Sequence, residues 1–157
     1  MSVSKFEVGD SRHFKVVPPI KLTLPKMKIP FGLDKLGTDY FFKLSFFRLN
    51  NNLEYSEFYN FIVNFERRVK EELKLDNLKS TIYSSPRFDP NIQIKIPMNK
   101  DKFCCEFVSD LGSPLNILHD LDKGSDVICE VIIDTIWNTK GKYSYKIKAK
   151  KITKCVS

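Results

Sequence analysis

Four cysteines, two histidines and six glycines are all this chain offers for metal, thiol or phosphate-loop chemistry. Their spacing excludes most of it. Cys104 and Cys105 are adjacent, Cys129 and Cys155 stand alone, and His13 and His119 are remote in sequence, so no zinc-knuckle pattern arises. There is no phosphate-cradling glycine loop, no HExxH pair and no GxSxG elbow. A Cys105–His119 dyad is the one conceivable nucleophilic pair, but adjacent cysteines on a strand are more often packing residues. A non-enzymatic protein is therefore expected, with no catalytic residue, no metal ligand and no cofactor. No apolar run approaches the length of a membrane span, and MSVSKFEVGD carries charge where a secretory leader needs an apolar stretch. The expected setting is reducing and intracellular, with free thiols and no membrane partner. Acidic residues are also missing from the end, for none follows Asp134.

What is present is basic and aromatic. The 157 residues suit one domain able to bury a core without disulfides. Lys and Arg number 26 against 19 Asp and Glu, and there are 13 Phe, 6 Tyr and 1 Trp. A basic excess alone attracts any anion. Joined to many aromatics it favours nucleic acid over a membrane surface, because bases offer faces on which rings stack.

Periodicity predicts strands interrupted by one long helix. Residues 1–19 are polar and end in Pro18-Pro19, and a flexible arm is expected there, followed by a single domain over 20–157. Residues 20–31 contain Pro25 and Pro30 and read as a short strand or extended edge segment. A strand at 39–48 follows, with Tyr40, Phe42, Leu44 and Phe46 on one face and Phe41, Lys43, Ser45 and Phe47 on the other. Ser56 is read as the N-cap of a helix over 56–75, whose stripe is Phe58, Phe61, Ile62, Phe65, Val69 and Leu73. Its opposite face, with Glu66, Arg67, Lys70 and Glu71, reads as solvated. Leu78–Ser84 suggests a short strand. Alternating Ile92, Ile94 and Ile96, then Phe103–Val108, predict a hairpin over 91–108. Ser113-Pro114 and Gly124 bracket a short helix near 114–121. The strands 127–137 and 142–153, joined at Thr139-Lys140-Gly141, make the last hairpin.

This order matches a mainly β chain of the OB type. It predicts a five-stranded open barrel with its short helix between strands three and four. The long helix then falls between strands one and two. A mixed α+β sheet is the competing architecture.

Charge supplies the functional argument. Lys140, Lys142, Lys146, Lys148, Lys150, Lys151 and Lys154 crowd the end of the chain. In a strand Lys146, Lys148 and Lys150 share one face at about 6.5–7 Å spacing, close to the repeat of an extended phosphate backbone. The same row also fits an edge strand blunted against aggregation. Trp137 and Tyr143 flank this hairpin as stacking rings. Trp137 also shares parity with the apolar positions of its strand, and Tyr143 and Tyr145 share parity with Ile147, so core roles stand beside the stacking ones. Phe41, Lys43, Gln93 and Lys95 point away from their strands' apolar faces and are read as further contacts. Lys26, Lys28 and Phe31 are read as one wall of a groove, or as a solvated loop.

The run Leu121-Asp122-Lys123-Gly124-Ser125-Asp126-Val127, then Trp137 and Gly141-Lys142-Tyr143-Ser144-Tyr145-Lys146, resembles the closing half of viral single-stranded DNA-binding proteins. Leu24-Pro25-Lys26-Met27-Lys28-Ile29-Pro30-Phe31-Gly32-Leu33, with Ile92-Gln93-Ile94-Lys95-Ile96-Pro97, is similar to the branch in large nucleocytoplasmic DNA viruses. The resemblance covers most of residues 20–153. It implies an OB fold that coats single-stranded DNA during replication, recombination or repair, in the host cytoplasm at a viral factory or in the nucleus. It adds no cofactor, and it allows replication proteins and a second copy of the chain as partners. One departure is the basic end Lys150-Lys151-Ile152-Thr153-Lys154, where many replicative relatives carry an acidic, partner-recruiting tail. An RNA-binding OB module and a virion scaffold are the rival functions.

Overall fold

The computed structural model describes residues 4–10 and 12–156. Strands β1 (Lys5–Asp10), β2 (His13–Thr23), β3 (Met27–Lys28), β4 (Leu33–Leu36) and β5 (Asp39–Ser45) come first. Helix α1 (Leu53–Glu72) separates them from β6 (Ile82–Ser85), β7 (Phe88–Ile96), β8 (Met98–Asn99), β9 (Lys102–Phe103) and β10 (Glu106–Ser109). Helix α2 (Ile117–Asp120) precedes β11 (Asp126–Thr139), β12 (Lys142–Tyr145) and β13 (Lys148–Lys154).

Alternation decides which way each strand faces. Phe42 and Leu44 of β5 lie opposite Ile94 and Ile92 of β7, and all four are essentially inaccessible. On β11 the buried set is Val127, Cys129, Val131 and Ile133. An irregularity between Ile133 and Thr135 then resets the parity, so that Ile136 is buried and Trp137 turns outward.

Five strand segments close into a ring: β2–β3, β5, β7, β13, β11 and back to β2–β3. Numbered along the chain, the cycle runs first, second, third, fifth, fourth. Its third and fifth members are parallel and meet at a single register pair, Lys95 opposite Lys148. The first member is the segment that sequence reasoning left outside the five. Its prolines suggest no more than a short or edge strand, yet each sits where the ladder needs no donor. Pairing with β11 skips from Ile20 to Lys15, and Pro18 and Pro19 fall inside that skip. Pro25 occupies the break between β2 and β3, which Leu24 spans by donating its N–H to the Cys129 carbonyl at 2.8 Å. The long helix is consequently inserted between the second and third ring strands, not the first and second. Residues 1–19, expected as a loosely held arm, carry strand pairing, with Lys5 opposite Val17 and Phe6 packed edge-on against Phe65. Residues 1–3 and 11 of that stretch, and Ser157, lie outside the described residues.

Helix α1 starts earlier than expected. Asn52 is its cap, accepting from the Tyr55 N–H at 3.1 Å, while Ser56 lies inside the helix and its hydroxyl donates to the Leu49 carbonyl. The buried stripe is Phe58, Ile62, Phe65 and Val69, with Phe61 left partly in water. Each buried side chain contributes on the order of 1.5–3 kcal/mol. The helix thereby plugs one end of the ring, with Phe65 against Tyr145 and Phe58 against Phe46. Glu66 departs from the solvated face assigned to it. Its carboxylate accepts from Ser80 and from the buried Tyr145 hydroxyl, which also bonds Thr81.

Two further expectations are corrected. The hairpin over 91–108 shrinks to β8 with β9, and β10 runs parallel to β13 instead of returning along β7. Pro97, with no N–H to give, ends β7, and its carbonyl accepts from Cys104. The short helix begins after Asn116, whose side chain caps Leu118 N–H, leaving Pro114 in an isolated bridge to Val108.

Candidate nucleic-acid interface

Because Phe42, Leu44, Ile92, Ile94 and Ile96 point inward, their neighbours must point out. The register aligns these outward residues in rows. Phe41 lies opposite Lys95, which lies opposite Lys148. Lys43 lies opposite Gln93, and Lys28, Ser45, Asn91 and Tyr83 form the next row. The lysines sit over rings: Lys146 Nζ lies 5.5 Å from the Phe41 centroid, and Lys43 Nζ 4.6 Å from Tyr83 and 5.9 Å from Phe31. One face thus gathers Lys28, Phe31, Phe41, Lys43, Lys95, Lys146 and Lys148. Beyond the strand break at 146–147, Lys142 and Ser144 continue the parity of Lys146 along β12. Trp137, the partner of Ser144, adjoins them. It is 41% exposed and tilts against His13 at 5.4 Å, so it is an open ring and not a core residue.

The electrostatics are those of crowded cations. Partial burial pushes the Lys146 ammonium below its ordinary pKa, helped by Lys79 and Lys95 and opposed by Asp39. Two carboxylates restrain the neighbours: Asp39 lies 3.8 Å from Lys95 and Asp134 3.1 Å from Lys148. Surface pairs of this kind are worth about 0–1 kcal/mol, so a polyanion can displace them. Lys95 and Lys148 also line an open cleft of about 480 Å³, together with Lys100 and Asp101 among others.

Other candidates fall elsewhere. Phe41 is 4% exposed beneath Lys146 and forms the floor of the face, not an open stacking ring. Tyr143 shares the side of buried Tyr145 and packs toward Phe14 at 6.5 Å. Lys140 stands exposed at the hairpin tip with left-handed φ, beside Gly141. Lys26 sits in the break before β3, where its carbonyl accepts from the hydroxyl of Tyr55 in the first turn of α1. Lys150 is exposed at a register shift, and its neighbour Lys151 lies between Glu130 and Glu106. Sequence reasoning missed Tyr83, Phe88 and Lys79. Tyr83 had a signal, alternating with Ile82 in a short apolar stretch. Lys79 had none, since only an isolated bridge to Ser144 brings it near.

Cys105, half of the one conceivable nucleophilic pair, is not activated. Burial, with Glu106 adding to it, pushes the Cys105 thiol up to about 12, the reverse of an activated nucleophile. His119 is exposed on α2. Among the described residues no three His, Cys, Asp or Glu side chains cluster as metal ligands, and no helix is long and apolar enough to cross a membrane.

A mainly β architecture with this ring order, one long inserted helix and a short helix before the fourth ring strand is OB-fold-like. Its fold is similar to the crystal structure of gp2.5, a single-stranded DNA binding protein encoded by bacteriophage T7. The TM-score is 0.57 over 87% of this chain and 86% of that one, at 10% identity. No protein-family model matches the sequence, and no curated protein matches it.

Proposed function

We propose that this chain binds single-stranded DNA with little dependence on sequence, covering exposed strands during replication, recombination or repair of a viral genome. The observation that carries the reading is the shared face on which Lys43, Lys95, Lys146 and Lys148 lie among Phe31, Phe41 and Tyr83. Ammonium groups on adjacent strands neutralise successive phosphates, and Trp137 and Phe31 are open rings on which unpaired bases stack at about 1–3 kcal/mol each. Likeness of fold to a phage single-stranded DNA binding protein supports the same reading. Binding of this kind needs no cofactor and no bond-making step. Competition among single-stranded DNA, RNA and duplex at two salt concentrations tests it. Preference for single-stranded DNA, with affinity falling steeply as salt rises, is expected. Preference for RNA transfers the face to RNA binding, and no binding at low salt removes the proposal.

A further inference from the structure

The segment that joins α1 to β6 lies outside the five-membered ring, yet it runs beside β12. Lys79 donates its backbone N–H to the Tyr143 carbonyl at 2.8 Å and forms a parallel bridge with Ser144. Residues paired across a bridge project to the same side, so exposed Lys79 stands on the side of Ser144 and Lys146. One interior carboxylate sets the spacing of the two segments. Glu66 accepts from the Ser80 hydroxyl at 2.7 Å and from the buried Tyr145 hydroxyl. Ser80 and Tyr145 are the sequence neighbours of Lys79 and Lys146, so bonds made on the inside hold the two lysines near each other outside. Lys95 is the third cation. It lies opposite Phe41, and the Phe41 ring is the one beneath the Lys146 ammonium at 5.5 Å.

We infer that Lys79, Lys146 and Lys95 form one phosphate site, which takes a single internal phosphodiester of the bound strand. The inference rests on the proposed single-stranded DNA binding and adds to that face a cation from outside the ring. Three segments deliver these charges with little protein anion among them. Among the described residues no carboxylate is paired with Lys79 or Lys146, and Asp39 meets Lys95 at 3.8 Å. Partial burial, then Lys79, then Lys95 disfavour the charged form of Lys146, as expected where cations are held close by backbone pairing. An anion among them turns that repulsion into attraction. A phosphodiester suits the position: its one charge is spread over two free oxygens, and ammonium donors reach them without a fixed planar geometry.

The test is a double-mutant cycle on the full chain, titrated with labelled oligothymidylate that carries no terminal phosphate, so that only internal linkages are offered. Lys79→Met keeps the backbone bond to Tyr143 and touches no core residue. It should weaken binding about tenfold at low salt and lower the salt slope by about one. Joined to Lys146→Met it should cost less than the product of the two single losses, because both side chains grip the same phosphate. Joined to Lys28→Met, on the distant β3, the losses should multiply. Lys70→Met, on the exposed side of α1, removes the same charge and should leave affinity and slope nearly unchanged. Unaltered binding in Lys79→Met, an equal loss in Lys70→Met, or losses at 79 and 146 that simply multiply would overturn the shared site while leaving DNA binding in place. Failure of the unaltered chain to bind the oligomer overturns both.

Discussion

Lys146 and Lys148 differ from Lys151 and Lys154 in almost everything but charge. The first pair lies among cations and rings, with Lys146 above Phe41 and Lys148 opposite Lys95, Asp134 at 3.1 Å from Lys148 being, among the described residues, the one carboxylate paired with it. The second pair lies beside acidic residues of neighbouring segments. Lys151 lies opposite Glu130 and Glu106, and Lys154 reaches the Asp120 carbonyl at 2.7 Å and the Asp122 carboxylate at 3.1 Å. A hydrogen bond from Ser125, together with that last contact, holds the Asp122 carboxyl below its usual range. The lysines near the end of the chain are thus two populations. One sits opposite acidic residues, with Lys154 tying down the loop at Asp120 and Asp122, and the other gathers with Lys95 and the rings on the outward face.

The comparison is sharpened most by charge reversal. Lys146→Glu with Lys148→Glu should weaken single-stranded DNA binding on the order of 100-fold at low salt. The thermal transition should hardly move. Lys151→Glu with Lys154→Glu should do the opposite, lowering the transition temperature while costing only a few-fold in affinity. Equal binding losses in the two double variants would erase the distinction.

A milder break uses the rings. Trp137→Ala should lose about 1–3 kcal/mol of binding with its fold intact, because the ring is open. Tyr143→Ala should chiefly lower stability, because that ring packs toward Phe14. Calorimetry and anisotropy on the same two variants separate these outcomes. Neutralising the first pair, by Lys146→Met with Lys148→Met, should lower the salt slope of binding by about two, whereas Lys151→Met should leave it unchanged.

The smallest expected effect is on pH. Lys146 has its pKa lowered in the folded protein, so its protonated form is disfavoured there and folding is slightly opposed wherever it is charged. That penalty is present below the folded pKa and gone above the ordinary lysine value. Bound phosphate reverses the bias, so binding takes up protons and affinity should fall as pH rises through the lowered pKa. Lys146→Arg, which keeps its charge, should flatten this decline in titrations that rise toward the ordinary lysine range. An unaltered profile would show that Lys146 does not meet the DNA.

Alternation made much of this legible. Phe42 with Leu44, and Ile92 with Ile94 and Ile96, settle which residues of β5 and β7 face out, and so Lys43 and Lys95 could be named before any coordinates. The first ring strand was obscured because proline content says nothing of which N–H groups a ladder leaves unused. Trp137 was ambiguous because an irregularity near Asp134 changes the parity, and a bulge leaves no trace in an apolar run. Counting lysines could not divide Lys146 from Lys151, since the dividing groups, Glu106 and Glu130, are distant in sequence and arrive only through strand pairing.

The ring closes between its third and fifth members through a single register pair, where the Lys95 amide donates to the Ile147 carbonyl at 2.8 Å. The same two strands carry the ammonium groups of Lys95 and Lys148. An anionic strand lying across that seam would clasp its two lips from outside, so occupancy and closure become one equilibrium. Deuterium uptake at the Lys95 amide is then a local gauge of loading, slowing as nucleotides lie over the joint.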